Sequence, residues 1–450
     1  MPGPIGPDEI RGVIEVALEL GGGDGVEVLA VHDWGGLTRF ADSAIHQSTA
    51  REDTAVKVRV VSNGRVGVAS TNDLSKEGAD VAARSALELA EMAAPDPAFP
   101  GLSPSARVPA APDRFDAATA ATPPEARADS VASLVGACDR GFHAAGAYET
   151  SASEVAVATT EGQFCYAAVS QATASTVVAG GDGGAGYAEA WAARVGDLDP
   201  EAIGRRAFEK ARDSQAPRDL EPGRYDVVLE APAVATLVSF LAYLGFGGRA
   251  IAEGRSCFSE KIGQKLMSDR VTIYDDALSS GTLGLPFDFE GTPKQRVDLV
   301  AEGVVIGGVH DRRSAKQEDR ESTGHALPPP NPHGAFPLNL FLAPGDASVE
   351  DMVRGTERGL LVTRFHYSNV VHPKEAIITG MTRDGTWLVE DGEVKHPVKN
   401  LRFTHSIIEA LRDVEAVGSE AQLASEFFFA ASSVPALKVT GFQFTGASDH

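Results

Sequence analysis

An almost uninterrupted apolar segment near the middle of the chain most constrains how it can fold. Residues 227–229 form a short apolar run, and from Ala233 to Phe246 nearly every side chain is apolar. Pro232 suits a first helical turn, because its missing N–H would have no partner there. A helix that is apolar on all sides must be buried on most of its circumference. The sequence therefore predicts a strand followed by a core helix that ends at the glycine-rich stretch 245–248.

The composition limits the class of protein. A chain of 450 residues, 43% hydrophobic and 23% charged, is long enough for two or three domains with substantial cores. The formal net charge of −23 argues against a direct nucleic-acid partner, because such proteins usually present a basic surface. Three cysteines without paired spacing favour a reducing compartment. The N-terminus lacks the pattern of a secretory signal, and no apolar run reaches the ~20 residues of a membrane span. We therefore expect a cytoplasmic protein without a membrane segment.

The turn, linker and helix-start signals along the chain predict an α+β protein. It divides into an N-terminal antiparallel α/β domain (1–93), a proline-rich connector (94–123), a central α+β segment (124–220) and a C-terminal strand-rich domain (221–450). Asn63-Gly64 between two apolar runs predicts a tight hairpin, and Asp199-Pro200 predicts a helix start. Asp384-Gly385 and Asp391-Gly392 are expected to be turns on either side of one short strand. Many strands with few helices predict a C-terminal twisted, barrel-like sheet closed around the apolar helix.

Three short patterns suggest chemistry but are better explained structurally. Residues 181–186 match GxGxxG, yet strand residues follow them instead of the helix that would hold a phosphate, so a hairpin tip is expected. Asp275 and Asp276 should point to opposite sides at a strand end and cap a turn. The segment 310–325 mixes eight charges and is expected to be a solvated loop across the domain surface.

Several longer stretches resemble the TldD/PmbA family, and they follow one another in the family's order. They are the strand and helix at 225–246, GRSCFSEKIGQKLMSD (254–269), TIYDDAL (272–278), STGHALPPPNPHGAFPLNLFLAPGDAS (322–348), GLLVTRFHYSNVVHP (359–373), ITGMTRDGTWLVEDGEVKHPVKNLRF (378–403) and SSVPALKV (432–439). The resemblance covers about half of the chain closely and the N-terminal part more loosely. It implies a two-subunit zinc peptidase in which one subunit bears an HExxxH helix and the other does not.

The resemblance also implies where a metal site would lie. The family's His, Glu and second His correspond to Ser239, Phe240 and Leu244 here, within a residue of register, and its Cys ligand corresponds to FFFAAS at 427–432. No histidine occurs from residue 144 to residue 309, so a shifted alignment cannot supply one. Zinc needs three protein ligands to be held and to lower the pKa of its bound water to about 7. We therefore expect no cofactor in this chain and zinc in the partner subunit.

The resemblance thus implies a TldE-type (PmbA-type) subunit without catalytic groups of its own. It would pair with an HExxxH-bearing TldD-like sister, complete the cavity and hold an unfolded peptide. An association with modulation of DNA gyrase would then reflect peptide turnover and not DNA binding. Possible peptide or partner contacts are His325, His333, His366, Tyr367 and His372, and the segments expected nearest the partner are 310–335 and 364–373.

Two alternatives from other functional classes remain open. Eight of the eleven histidines follow residue 309, and His366 and His372 bracket a short stretch that could bind a transition metal. A free-standing enzyme with a reassigned site around these histidines is one alternative; against it, no Glu or Cys stands at matching spacing. The other is a peptide-binding scaffold without a hydrolytic role.

Overall fold

A computed structural model describes residues 3–425 and 431–447, and two sheets organise them. The first sheet is antiparallel and has the order β3-β2-β1-β4-β5-β6. Its strands are β1 (Gly25–Ala41), β2 (Ala44–Ser62), β3 (Arg65–Thr71), β4 (Phe142–Thr159), β5 (Phe164–Gly180) and β6 (Ala185–Ala192). Because β1 pairs with β4 along most of its length, the predicted N-terminal domain and central segment contribute three strands each to one continuous sheet.

Helices cover one face of this sheet. They are α1 (Pro7–Leu20), α2 (Lys76–Met92), α3 (Ala117–Ala120), α4 (Pro124–Gly136) and α5 (Pro200–Asp213). The helices α1 and α2 share a core with the first half of β1, whereas α4 and α5 share a second core with β5 and β6. On the other face, Leu29 and Val157 pack against Phe287 of the C-terminal domain. Alternation of side chains along the strands therefore gives the helices one face and the C-terminal domain the other.

The C-terminal domain is a closed barrel with additional strands. Its ring consists of β7 (Arg224–Leu229), β12 (Arg358–His372), β13 (Ile377–Glu390), β15 (Leu401–Ser406) and β17 (Ser432–Ala447), and β17 pairs back with β7. The additional strands are β8 (Ile273–Asp275), β9 (Val297–Ala301), β10 (Val304–Val305), β11 (Leu340–Leu342), β14 (Glu393–Pro397) and β16 (Val414–Ala424). Its helices are α6 (Ala231–Gly245), α7 (Gly248–Ala252), α8 (Arg312–Gln317), α9 (Val349–Arg354) and α10 (Ile407–Arg412). This arrangement confirms the predicted α+β class with a barrel-like domain.

Turn chemistry accounts for several boundaries, with one correction. Asn63 and Gly64 adopt positive φ of 50° and 70° in the predicted hairpin, and Asp391-Gly392 forms the predicted turn into β14. Asp384-Gly385, however, lies inside β13 as a bulge, where the register with β12 shifts. The bulge lets the buried Asp384 carboxylate accept hydrogen bonds from Arg364. Asp384 therefore forms an ion pair inside the strand and does not form a turn.

The charged segment 310–325 is not the solvated loop that its composition predicts. It contains α8, and its flanking residues His310 and His325 are each 1% exposed. Arg313 forms an ion pair with Asp96, and Lys316 Nζ donates to the Phe99 carbonyl at 2.8 Å. The charges therefore attach the segment to the chain's own proline-rich connector.

Buried charges also join the barrel domain to the first sheet. Arg59 Nη1 lies 3.0 Å from Glu27 Oε1 and 3.4 Å from Glu290 Oε1. Burial raises the pKa of Glu27 to about 7, although Arg59 opposes the shift. Burial, together with the neighbouring Glu290, likewise raises the pKa of Asp288 to about 7. Some of these carboxyls therefore bind protons near neutrality only while the two domains are packed together.

We expect this junction to lose stability as the pH rises. Between the unfolded pKa of Glu27 near 4.5 and its folded pKa near 7, the folded state binds more protons, so the unfolding free energy falls with increasing pH. For Glu27 alone the fall between about pH 6 and about pH 8 should be about 1 kcal/mol. Glu27→Gln should remove that share, whereas Glu15→Gln, exposed on α1, should not. Urea unfolding at both pH values measures this fall in unfolding free energy. The prediction is contradicted if the unfolding free energy of Glu27→Gln falls between the two pH values as much as that of the wild type.

Candidate functional site

The helix α6 is buried as its sequence predicts. Thirteen of its fifteen residues are buried, and it belongs to the core cluster of the barrel domain. Ser239, Phe240 and Leu244 are 6%, 1% and 7% exposed. These positions therefore fill a core, and they present no imidazole or carboxylate to a cavity.

Zinc does not fit the residues at this place. Apart from the Ser239 hydroxyl, the three side chains carry no atom that could bind a metal ion. Among the residues that the structure describes, no group of three His, Cys, Asp or Glu stands close enough to hold one. The segment 427–432, where the family's Cys ligand would stand, lies mostly outside the described residues; its last two members, Ala431 and Ser432, are buried.

A cavity of about 430 Å³ opens beside the first turn of α6. Its walls come from both parts of the molecule: β6 and α5 on one side, and α6, α9, β16 and β17 on the other. Glu230, the residue before α6, lines it together with Lys210 of α5, and their Oε2 and Nζ atoms are 2.5 Å apart. The strand β16 ends at Ala424, shortly before the segment 427–432 in the sequence.

Glu189 of β6 is the most perturbed acid in this cavity. Burial raises its pKa to about 7, against hydrogen bonds from Trp191, the Ser425 amide and Tyr187 that lower it. Trp191 Nε1 donates to Glu189 Oε2 at 2.8 Å. The other oxygen, Oε1, is enclosed and has no partner in hydrogen-bond geometry among the described residues. In the sequence, Glu189 is the charged residue of the otherwise apolar strand β6. That pattern alone did not predict a functional residue.

The histidines and tyrosine named as possible contacts lie in different surroundings. Tyr367, 77% exposed, and the exposed His372 lie on the outer half of β12, with His366 partly buried beside them. His372 Nδ1 accepts a hydrogen bond from the Glu375 amide, which caps the following turn. His333 is exposed in the loop before β11. These four can meet a partner or peptide at the surface, and their contact role stays a prediction.

His325 does not belong with them. Its Nε2 lies 2.9 Å from Asp275 Oδ1, and both side chains are fully enclosed. Asp275 also accepts the Asn339 amide at 2.6 Å, so it is part of a buried network, whereas Asp276 caps a turn by accepting the Leu278 amide. The turn-cap prediction therefore holds for Asp276 and not for Asp275. Burial removes His325 from any surface contact with a peptide.

Within the described residues, no helix is long and apolar enough to span a lipid bilayer.

Comparisons with known proteins cover nearly all of the chain. Family models described as PmbA/TldA metallopeptidase domain 1, central domain and C-terminal domain match residues 26–90, 109–215 and 222–446. The metalloprotease PmbA of Escherichia coli O157:H7 is 25% identical over 451 residues, 95% of each chain. A metalloprotease of Methanothermobacter thermautotrophicus is 28% identical over 235 residues, and the match spans about half of each chain.

Solved structures show the same fold. TldE from Thermococcus kodakarensis superposes with a TM-score of 0.89 at 20% identity, over 97% of this chain and all of that one. A Thermotoga maritima protein called "a putative modulator of a DNA gyrase" superposes with a TM-score of 0.83 at 19% identity, over 97% of this chain and all of that one. With the three matched domains in order and the fold in common, this chain belongs to the PmbA/TldD metallopeptidase family.

Proposed function

We propose that this chain is the non-catalytic, TldE-type subunit of a two-chain zinc metallopeptidase that acts on unfolded peptides. The observation that carries the proposal is the helix α6. Where the resemblance places the metal ligands and the general base, the chain has Ser239, Phe240 and Leu244, and all three are buried in the core. An HExxxH-bearing TldD-like sister would supply zinc and the base, and the pair would work in the cytoplasm.

A subunit without catalytic groups contributes to hydrolysis through geometry. It can close the cavity, exclude bulk water and hold the peptide near the partner's reactive centre. The cavity beside α6 supports this role, because it lies between the two sheets and is lined by polar groups from both. The chain's net charge of −23 favours peptides over DNA as the ligand, so an effect on gyrase would be indirect.

The outer half of β12 is the surface that we assign to the partner. Tyr367 and Val371 are 77% and 54% exposed there, in a strand whose inner half is buried in the barrel. Exposed aromatic and aliphatic side chains of this kind are typical anchors of protein interfaces. A stable pair should bury at least ~1,600 Å² in total.

Co-expression with the sister chain tests the proposal. We expect the two chains to co-elute in size-exclusion chromatography. We expect little cleavage of an unstructured peptide by this chain alone, and a large gain when it joins its sister. Val371→Arg should weaken co-elution, whereas Ile45→Arg, on the exposed part of β2, should not.

Three results would count against the proposal in different ways. A sister that works equally well alone, or that never co-elutes, would favour the scaffold alternative. Cleavage by this chain alone that is lost in a His366→Ala or His372→Ala variant would favour a free-standing enzyme. Stoichiometric zinc in this chain after dialysis would contradict the assignment of the metal to the sister.

A further inference from the structure

A second cavity, of about 420 Å³, opens at one end of the barrel and shares no lining residue with the cavity beside α6. It lies where β7 and β13 begin and where β15 ends, next to α10. Its volume is that of a small-molecule site, which commonly spans ~300–1,000 Å³. The charged side chains that line it are Arg224, Lys261, Glu375 and Glu409.

His405 of β15 forms the buried part of this lining. It is 7% exposed, and its ring lies against Phe442 of β17 with the two ring centroids 4.6 Å apart. Neither ring nitrogen has a hydrogen-bond partner in the described part of the chain, and only Nε2 is fully enclosed. Nδ1 is therefore the nitrogen that a molecule in the cavity can reach. Buried polar side chains normally have a partner, so the vacant Nδ1 distinguishes this cavity from an ordinary surface depression.

The imidazole of His405 is neutral near pH 7. Burial lowers its pKa; Glu409 and Asp413 oppose the shift, and Arg224 and Arg412 add to it. A neutral imidazole donates at one nitrogen and accepts at the other. Depending on the tautomer, Nδ1 can therefore donate to a carboxylate or accept from an ammonium group.

The charged side chains around His405 do not neutralise one another. Within residues 3–425 and 431–447, neither cation of the cavity forms an ion pair with either carboxylate. Glu409 Oε1 lies 4.0 Å from Arg412 Nη1, but the Arg412 guanidinium donates to Asp413. Two positive and two negative side chains thus line one cavity without pairing. A ligand that carries both charges can contact both kinds of group at once.

We infer that this cavity binds a short peptide as a zwitterion, with its carboxylate beside Arg224, its ammonium group beside Glu409, and Nδ1 of His405 as a hydrogen-bonding partner. Lys261 and Glu375 add attraction of the same two signs. The inference rests on the proposed function, since hydrolysis of a peptide yields short peptides with both ends free.

The lining favours a zwitterion over a ligand with one charge. Because the formal charges of the lining sum to zero, a singly charged ligand is attracted by one pair of side chains and repelled by the other. A zwitterion is attracted at both of its ends. Ile377 and Ile408 supply apolar surface for small side chains between those ends.

Direct binding to the purified full-length chain tests the inference. The probes are trialanine, its amide, its N-acetylated form and its N-acetylated amide, which differ only in the charges of their ends, titrated by ligand-observed NMR. We expect trialanine to bind about tenfold or more tightly than the doubly blocked form, with each singly blocked form about threefold or more weaker than trialanine. Alanine, the fifth probe, represents a free amino acid, and tighter binding of alanine than of trialanine would overturn the assignment to a short peptide.

Matched variants locate the two ends. Arg224→Gln should reduce the loss caused by amidation to about twofold or less and keep the loss caused by acetylation, whereas Glu409→Gln should do the reverse. The controls are Arg107→Gln in the connector and Glu161→Gln in the turn between β4 and β5. Both side chains are exposed, and neither lines the cavity, so both losses should stay unchanged.

His405→Phe tests the buried partner. The substitution keeps a ring against Phe442 but removes both nitrogens, so trialanine should bind about threefold or more weakly. The variants Arg224→Gln and Glu409→Gln, both at exposed positions, decide the question if His405→Phe does not fold.

Three outcomes would overturn the inference: equal binding of the four trialanine forms, unchanged losses in both Arg224→Gln and Glu409→Gln, or no binding of trialanine at about 10 mM. None of these measurements needs the sister chain. The expected preference for trialanine, together with a sister that works equally well alone, would refute the proposed function alone. A sister that depends on this chain, together with no preference for trialanine, would refute this inference alone.

Discussion

Replacing Phe240 with alanine should lower the unfolding free energy of the barrel domain by about 3–5 kcal/mol. Phe240 is 1% exposed, lies in the middle of α6 and belongs to the domain's main core cluster. Truncation removes the transfer free energy of the ring and leaves a cavity that the surrounding strands cannot fill, because the closed ring of strands limits their movement.

Urea unfolding followed by hydrogen exchange of the barrel amides measures this loss. The control is Val371→Ala, on β12 of the same domain, where the side chain is 54% exposed and the loss should stay below about 1 kcal/mol. The barrel domain should unfold before the first sheet in Phe240→Ala. Equal urea midpoints for the two variants would mean that α6 is not the centre of this core, and the argument against a metal site there would lose its structural support.

The burial of α6 could be predicted because its sequence alone requires it. An apolar helix with glycines after it has few stable places other than a core, and turn signals such as Asn63-Gly64 act over two residues. The closure of the barrel is different. The pairing of β17 with β7 joins residues that are about 200 positions apart, such as Leu437 and Leu229, and no local pattern specifies it.

The two wrong predictions, for the segment 310–325 and for Asp384-Gly385, also arise from contacts that no local pattern specifies. The segment 310–325 has the composition of a solvated loop, but its charges meet Asp96 and the Phe99 carbonyl about 200 residues earlier. Asp384-Gly385 has the composition of a turn, but Arg364 provides a partner that keeps the aspartate inside a strand. In each case a distant partner decided between two local structures that the sequence allowed equally.

Only part of the candidate site could be predicted from the sequence. That α6 lacks metal ligands is visible in the sequence, because no histidine occurs between residues 144 and 309. The cavity beside α6 is not, because Glu189 and Glu420 come together only when the first sheet and the barrel domain pack against each other. A carboxylate acquires its raised pKa from that packing, and burial cannot be derived from the strand in which the residue lies.

The adjacent residues Asp275 and Asp276 offer the sharpest contrast between a local role and a long-range one. Burial by itself would raise the pKa of Asp275, but His325, Lys294 and the Asn339 amide outweigh burial and hold that pKa below its usual value. All of these partners come from later parts of the domain, and His325 is fully enclosed with Asp275. Asp276 caps a turn two residues ahead.

Asp275→Ala should therefore cost about 3–5 kcal/mol of unfolding free energy, because it leaves the buried His325 Nε2 and the Asn339 amide without their shared acceptor and removes the negative charge nearest the buried Lys294. Asp276→Ala removes one turn hydrogen bond from a partly buried side chain and should cost about 1 kcal/mol. Urea unfolding of the two variants beside the wild type measures the difference. If both substitutions cost the same small amount, the pair is a turn cap as its sequence predicts, and the buried network contributes nothing to stability. A large loss confined to Asp275→Ala would mean that a single carboxylate joins β8 to the segment around His325, which in turn leads into the loop that carries His333.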